Sequence, residues 1–293
     1  MGIGEPVPHV NPLVHAGPQI SALLSLTGGA VPTLEQPRTR GPGGAAFPLA
    51  ATLDVEGTPQ SGTGQAALLT GASAAEIYGR HFGPWTPVRL RPLVEERSML
   101  RRAVEAGRTV AFANAYPRGW PGPRGGRRIA GPPLAARGAG VLDRHEQALA
   151  EGRAISSEIL NDGWRRHLGH RSVPLITAEE AGRNLVRIGR DADLTLYAHY
   201  ATDTAGHRRD MQAAVAALER VDAFLRGVFT EIDTDTLLLL TSDHGNLEDV
   251  RAGHTRNPAL GAARGPGAGR AAELSDLRDV APLVLELLGV RPG

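Results

Sequence analysis

Two short stretches concentrate the chemistry of this sequence. "LLLLTSDHGNLEDVRAGHT", residues 237–255, carries four leucines straight into Asp243 and His244 and adds His254. "YATDTAGHRRD", residues 200–210, sets Asp203 and His207 four positions apart, one turn of a helix. Leucines are built for burial, and an Asp-His pair at the end of such a run is costly unless something occupies it. Alone, either pair reads as a capped turn. Placed at the ends of two successive apolar runs, with His254 beside them, they form one mixed nitrogen and oxygen donor set. Such a set suits Zn²⁺ or Mn²⁺ better than Ca²⁺. The remaining histidines (9, 15, 81, 145, 167, 170 and 199) lack such company, although His199 shares a strand with Asp203.

"TPQSGTGQAALLTG", residues 58–71, offers hydroxyls. Ser61 and Thr63 alternate with Gly62 and Gly64 ahead of a short apolar helix. A hydroxyl at the turn into a helix sits where backbone N–H groups and the dipole favour anions. A serine there could attack phosphorus and carry the phosphoryl group. The plain alternative is an N-cap followed by a glycine turn.

These groups need elements to hold them. "TVAFANAY" (109–116), "LTLYAHYATD" (194–203) and "DTLLLLTSD" (235–243) read as buried strands, and their unbroken apolar character suits a parallel sheet covered on both faces. Between the last two, Met211, Val215, Leu218, Leu225 and Phe229 keep helical spacing. Strand, helix, strand predicts a right-handed parallel unit with functional groups at the carboxyl ends of its strands. Thr177 and Glu180 predict a capping box opening a helix over 177–190. A closing helix is expected over 275–289. Residues 115–140 and 261–272, rich in Gly, Pro and Arg, are expected to be loops. This organisation predicts an α/β core from 1–84 and 176–293, with 85–175 as an inserted, partly irregular, cap-like region.

Composition removes several classes of function. The chain has 293 residues, 41% of them hydrophobic, enough to bury a core. Net charge is +1, which gives no basis for a nucleic-acid or membrane surface. Every basic residue is Arg, so lysine Schiff-base chemistry and a Walker-type phosphate loop are excluded. There is no Cys, hence no disulfide and no thiolate metal site. No apolar run reaches the ~20 residues of a membrane span. With no signal-like amino terminus, a cytoplasmic protein is expected.

"TSDHGN" followed by "GHTRNP" resembles the metal-binding segment of cofactor-independent phosphoglycerate mutases. "TDTAGHRRD" resembles those enzymes and phosphopentomutases. Both are members of the alkaline phosphatase superfamily, whose fold would be a mostly parallel sheet sandwiched by helices. The resemblance is strong over 194–260, weaker over 48–75 and absent over 85–175. It implies a metal-dependent phosphatase or phosphomutase acting on a small phosphorylated metabolite through a phosphoserine at Ser61. It also implies two divalent ions, Mn²⁺ or Zn²⁺. Asp203, His207 and His254 would hold one; Asp243, His244 and the Ser61 oxygen would hold the other. A phosphodiesterase or a sulfatase of the same superfamily is the competing enzyme, and "SGTGQ" does not fit the sulfatase nucleophile signature.

Some positions depart from the pattern. Gln65 stands where the resemblance leads one to expect His. Arg118, Arg124, Arg127 and Arg128 could meet substrate phosphate, or form a solvated basic loop. The superfamily opens with a strand ending in Asp-Gly, whose Asp binds the ion held by Asp243. Here "MGIGEP" resembles the residues after that Asp, so the first core strand and one ligand are expected to be missing. Two explanations stay open: a start placed inside a longer reading frame, or a real loss that leaves an inactive remnant.

Overall fold

The computed structural model describes residues 1–122, 126 and 128–291. The strands are β1 (Thr39–Gly41), β2 (Gly44–Leu49), β3 (Val110–Phe112), β4 (Leu194–Leu196), β5 (Leu238–Thr241) and β6 (Ala259–Arg264). The helices that position the site are α1 (Ser61–Thr70), α2 (Gly131–Gly138), α3 (Ala178–Gly189), α4 (Ala201–Arg208), α5 (Met211–Glu231) and α6 (Val280–Leu287).

Strands β1, β2, β6 and β5 form one sheet in that order, and β3 pairs with β4. Helices surround the strands, as the α/β expectation requires. The expected direction is met only in part. β3 and β4 are parallel, whereas every pairing among β1, β2, β6 and β5 is antiparallel.

Two of the three antiparallel pairings involve a stretch expected to be a loop. Residues 261–264 belong to β6, which lies between β2 and β5. Gly261 pairs with Phe47 on one side and Thr241 on the other, and a Cβ on it would run into the Phe47 ring. A central strand beside Phe47 needs small residues, so packing overrides the low strand propensity of Gly and Ala.

Both groups of strands divide the same two apolar clusters. Phe47, Leu239, Ala263, Phe112 and Leu196 face one cluster. Ala46, Leu240, Ala262, Ala111 and Tyr197 face the other. Because side chains alternate along a strand, this shared division places both groups in one layer. β4 and β5 stand apart within it. They are not paired with each other, and all their residues are half-buried. The expected strand–helix–strand unit therefore has its helix, α5, but no direct pairing of its two strands. Gly2 makes a single antiparallel bridge to Ala259.

α5 is capped by Asp210, whose side chain accepts from the Ala213 N–H at 2.6 Å. Its apolar face, including Leu218, Phe224 and Val228, packs in the second cluster with Ala181 and Ile188 of α3. Thr177 caps α3 through the Glu180 N–H at 3.1 Å, as predicted. The full capping box sits elsewhere, at Asp276 and Asp279 ahead of α6. Of the segment expected to be irregular, residues 131–138 are helical. Pro132 and Pro133 sit in the first turn of α2, where a missing N–H costs nothing. β3, Val94, Leu100 and Leu134 join the first cluster, so parts of 85–175 share the core. Among the described residues no helix is long and apolar enough to cross a membrane.

Candidate metal centre

β5 delivers Asp243 and His244 at its carboxyl end, and α4 starts five residues after β4 with Asp203 in its first turn. One turn on, His207 Nε2 lies 3.3 Å from Asp203 Oδ2. His254 comes from the loop between β5 and β6. Its Nε2 lies 3.1 Å from His207 Nε2 and 3.5 Å from Asp203 Oδ1. Ligand-type atoms of Asp203, His207 and His254 all fall within 4.8 Å of one another. Two imidazole lone pairs cannot face each other at that range, so a proton or a cation must lie between them. The set fits a divalent ion: nitrogen and carboxylate oxygen converge on one point.

The second half is built around His244, which is 1% exposed. Its Nδ1 faces the Gly245 carbonyl at 3.1 Å, and its Nε2 lies 2.8 Å from Ser61 Oγ. Asp243 Oδ1 is 3.7 Å from that nitrogen and Asp203 Oδ1 is 3.8 Å from it. With the Nδ1 proton donated to the carbonyl, Nε2 presents a lone pair toward Ser61. The His244 and His254 rings lie 4.1 Å apart, which joins the two halves.

Ser61 and Thr63 separate cleanly. Ser61 opens α1 and directs its hydroxyl to His244. Thr63 is fully buried; its hydroxyl donates to the Gln60 carbonyl at 3.2 Å and accepts from the Phe82 N–H at 3.3 Å. Gly64 explains how α1 comes so close, since a Cβ there would collide with the Asp243 carbonyl oxygen.

Electrostatics follow the geometry. Burial opposes ionisation of Asp203, but the His254 hydrogen bond, the nearby His244 and Asn246 hold its carboxyl well below the usual range. Burial lowers the pKa of His244, against the pull of Asp243. For His254 burial is outweighed by the hydrogen bond and charge of Asp203 and by the Pro59 carbonyl, so its pKa is raised.

Three neighbours complete the surroundings of the site, and of these the sequence marked only Gln65, as the residue in place of an expected His. Gln65 donates to Asp243 Oδ2 at 2.9 Å and accepts from the Gly131 N–H at 2.9 Å, linking α2 to the site. Asn246 donates to Asp203 through its carbonyl at 3.1 Å and its carboxylate at 2.6 Å. Glu248 lies fully buried beneath the same loops. The only sequence signal for Asn246 and Glu248 is proximity to "DHG". Of the arginines suggested for phosphate, Arg118 is engaged with Glu146, Arg128 is exposed, and Arg124 and Arg127 lie outside the described residues.

A family model described as "Metalloenzyme superfamily" matches residues 176–292. The 2,3-bisphosphoglycerate-independent phosphoglycerate mutase of Cereibacter sphaeroides (strain ATCC 17025) is 34% identical over 127 residues, 40% of this chain and 25% of that protein. The enzyme of the same name from Halobacterium salinarum is 34% identical over 112 residues, 35% of this chain and 22% of that protein. The chain thus spans about a quarter of the length of these curated relatives. Among solved structures, alkaline phosphatase from the Antarctic bacterium TAB5 superposes with a TM-score of 0.55 at 11% identity, covering 99% of this chain and 97% of that one. That likeness concerns the fold.

Proposed function

We propose that this chain, which carries the metalloenzyme-superfamily match over 176–292, is a metal-dependent phosphoryl-transfer enzyme, a phosphatase or a phosphomutase. Its substrate would be a small phosphorylated metabolite, met in the cytoplasm. The observation that supports this reading is the Asp203, His207 and His254 cluster, with His244 beside it in contact with both Asp243 and the Ser61 hydroxyl. Asp203, His207 and His254 would hold one divalent ion, Mn²⁺ or Zn²⁺. Asp243, His244 and Ser61 would hold a second. Two such ions, when bound, stabilise negative charge on the attacking and leaving oxygens of an in-line displacement.

The residues divide the remaining work. Ser61 Oγ is aimed by its 2.8 Å contact with His244. It gives up its proton to solvent as it attacks phosphorus, the ester P–O bond breaks, and the leaving oxygen takes a proton from water. The phosphoryl group then rests on Ser61, at the amino end of α1, where the helix dipole favours its charge. Water, or a second hydroxyl of the substrate, displaces Ser61 and separates phosphatase from mutase. The division into core (1–84 and 176–293) and cap-like region (85–175) belongs to this reading. The Gln65–Gly131 contact is where the cap would meet the site.

The test is a rate comparison on aryl phosphate monoester, diester and sulfate with Mn²⁺ or Zn²⁺. The reading expects monoester cleavage that chelation abolishes and that Ser61→Ala lowers at least a thousandfold. A Ser61→Ala protein as fast as wild type, or preference for diester or sulfate, overturns it.

A further inference from the structure

We propose that Glu248 is a positioning residue, a buried carboxylate that locks the His244 and His254 loops to the amino-terminal segment and so presets the divalent-cation ligand set. The inference rests on the metal-site reading above.

Glu248 is 0% exposed. No cation pairs with it among the described residues, which is unusual for a carboxylate buried so completely. Its charge is instead met by four hydrogen-bond donors from three separate segments. The Gly2 N–H donates to Oε2 at 2.6 Å, and the Asn246 N–H donates to the same oxygen at 2.7 Å. The Thr255 hydroxyl donates to Oε1, as does the Asn257 amide at 3.2 Å.

The positions of these donors give the carboxylate its effect. Asn246 is two residues after His244, and Thr255 is the residue after His254. The two arms of this β5–β6 loop also meet directly, through the Thr255 N–H and the Gly245 carbonyl at 3.1 Å. At Gly245 a Cβ would press on both Thr255 Oγ1 and Glu248 Oε1, so the loops close around the carboxylate with no room to spare. Asn246 in turn holds Asp203. One buried anion is therefore bonded to the backbone beside His244 and the side chain beside His254, and reaches Asp203 through Asn246. It touches none of the ligands, and carboxylates of this kind fix ligand orientation before an ion arrives.

An acceptor-only group is required. All four partners donate, and a carboxylate has acceptor sites for all of them. A glutamine would turn its NH₂ toward two donors, and an alanine would leave all four without a partner.

The test uses the full chain with Glu248→Ala, Glu248→Gln and Thr255→Val, and two readouts. The first is amide hydrogen exchange in the metal-free protein. Glu248→Ala is expected to speed exchange at least tenfold at Asn246 and through 244–257, with the α3 and α5 amides unchanged. The second is Mn²⁺ titration, where Glu248→Ala is expected to weaken binding about 10–100-fold. Glu248→Gln, which keeps the shape and one acceptor oxygen, should recover part of both losses. Thr255→Val removes one of the four donors to Glu248, together with the acceptor of the Asn257 N–H, and should give smaller changes of the same sign, which keeps the test decisive if Glu248→Ala does not fold. Unchanged exchange over 244–257, or wild-type Mn²⁺ affinity in a folded variant, overturns the assignment. A wild-type protein that binds no Mn²⁺ would instead sink the function proposed above, with the exchange data still judging Glu248.

Discussion

Ser61 and Thr63 sit two residues apart with different surroundings. The Thr63 hydroxyl is closed in by Gln60 and Phe82, whereas the Ser61 hydroxyl meets His244. Thr63→Ala should therefore cost about 1 kcal/mol of stability in urea unfolding, since it leaves the partly buried Phe82 N–H without this acceptor, and should leave Ser61 able to accept a phosphoryl group. His254 gives a pH prediction. Asp203 and the Pro59 carbonyl raise its pKa above the ordinary 6.5 against the effect of burial. Metal binding needs the neutral imidazole, so protons compete at higher pH than for an ordinary histidine. Mn²⁺ affinity should begin to fall above pH 6.5 on acidification, and His254→Ala should bind at least tenfold more weakly with a flatter pH dependence. Asp203, His207, Asp243, His244 and His254 were legible because ligand chemistry is confined to a few residue types. Asn246 and Glu248 were not, because an amide or a carboxylate gains its role only from the segments folded against it, and Gln65 was marked only by the His it replaces.

Elements explain why the candidate ligands meet. A four-residue spacing put Asp203 and His207 on one turn, and the capping threonine of α3 was readable for the same local reason. β6 was not readable. Its Ala and Gly content argues for a loop until Phe47 is seen filling the space a larger side chain would need. The helix α2 was hidden in a Pro-rich stretch, although Pro in a first turn is compatible with a helix. Gly261→Val should overpack that contact and lower stability by about 1–3 kcal/mol in urea unfolding. A variant as stable as wild type would show that β6 does not lie against Phe47 as described.

At the scale of the whole molecule, short strands separate two apolar clusters, and the candidate site lies beyond the ends of β4 and β5. That layered α/β plan was legible from buried strands alternating with amphipathic helices. Strand direction was not, because pairing partners distant in sequence decide it. The insertion of β6 between β2 and β5 is such a long-range event. Acid sensitivity belongs to this scale as well. His199 lies between β4 and α4, its Nδ1 on the Ser157 carbonyl at 2.9 Å and its Nε2 sealed from solvent. Burial pushes its pKa down to about 4 from 6.5. Between those values the unfolded chain binds a proton that the folded chain does not. Stability is therefore complete above about pH 6.5 and is lost progressively as pH falls toward 4. The melting temperature should drop across that window, and His199→Gln should flatten the drop; an equal slope in both proteins would rule His199 out as its source.

The most direct measurement is to mix the protein with a phosphate monoester and Mn²⁺, quench in acid, and map the phosphorylated peptide by mass spectrometry. The account predicts one phosphoryl group on Ser61, present in wild type and absent in Ser61→Ala and His254→Ala. Monoester turnover with no phosphoryl group on Ser61, or a phosphoryl group on another residue, would contradict it.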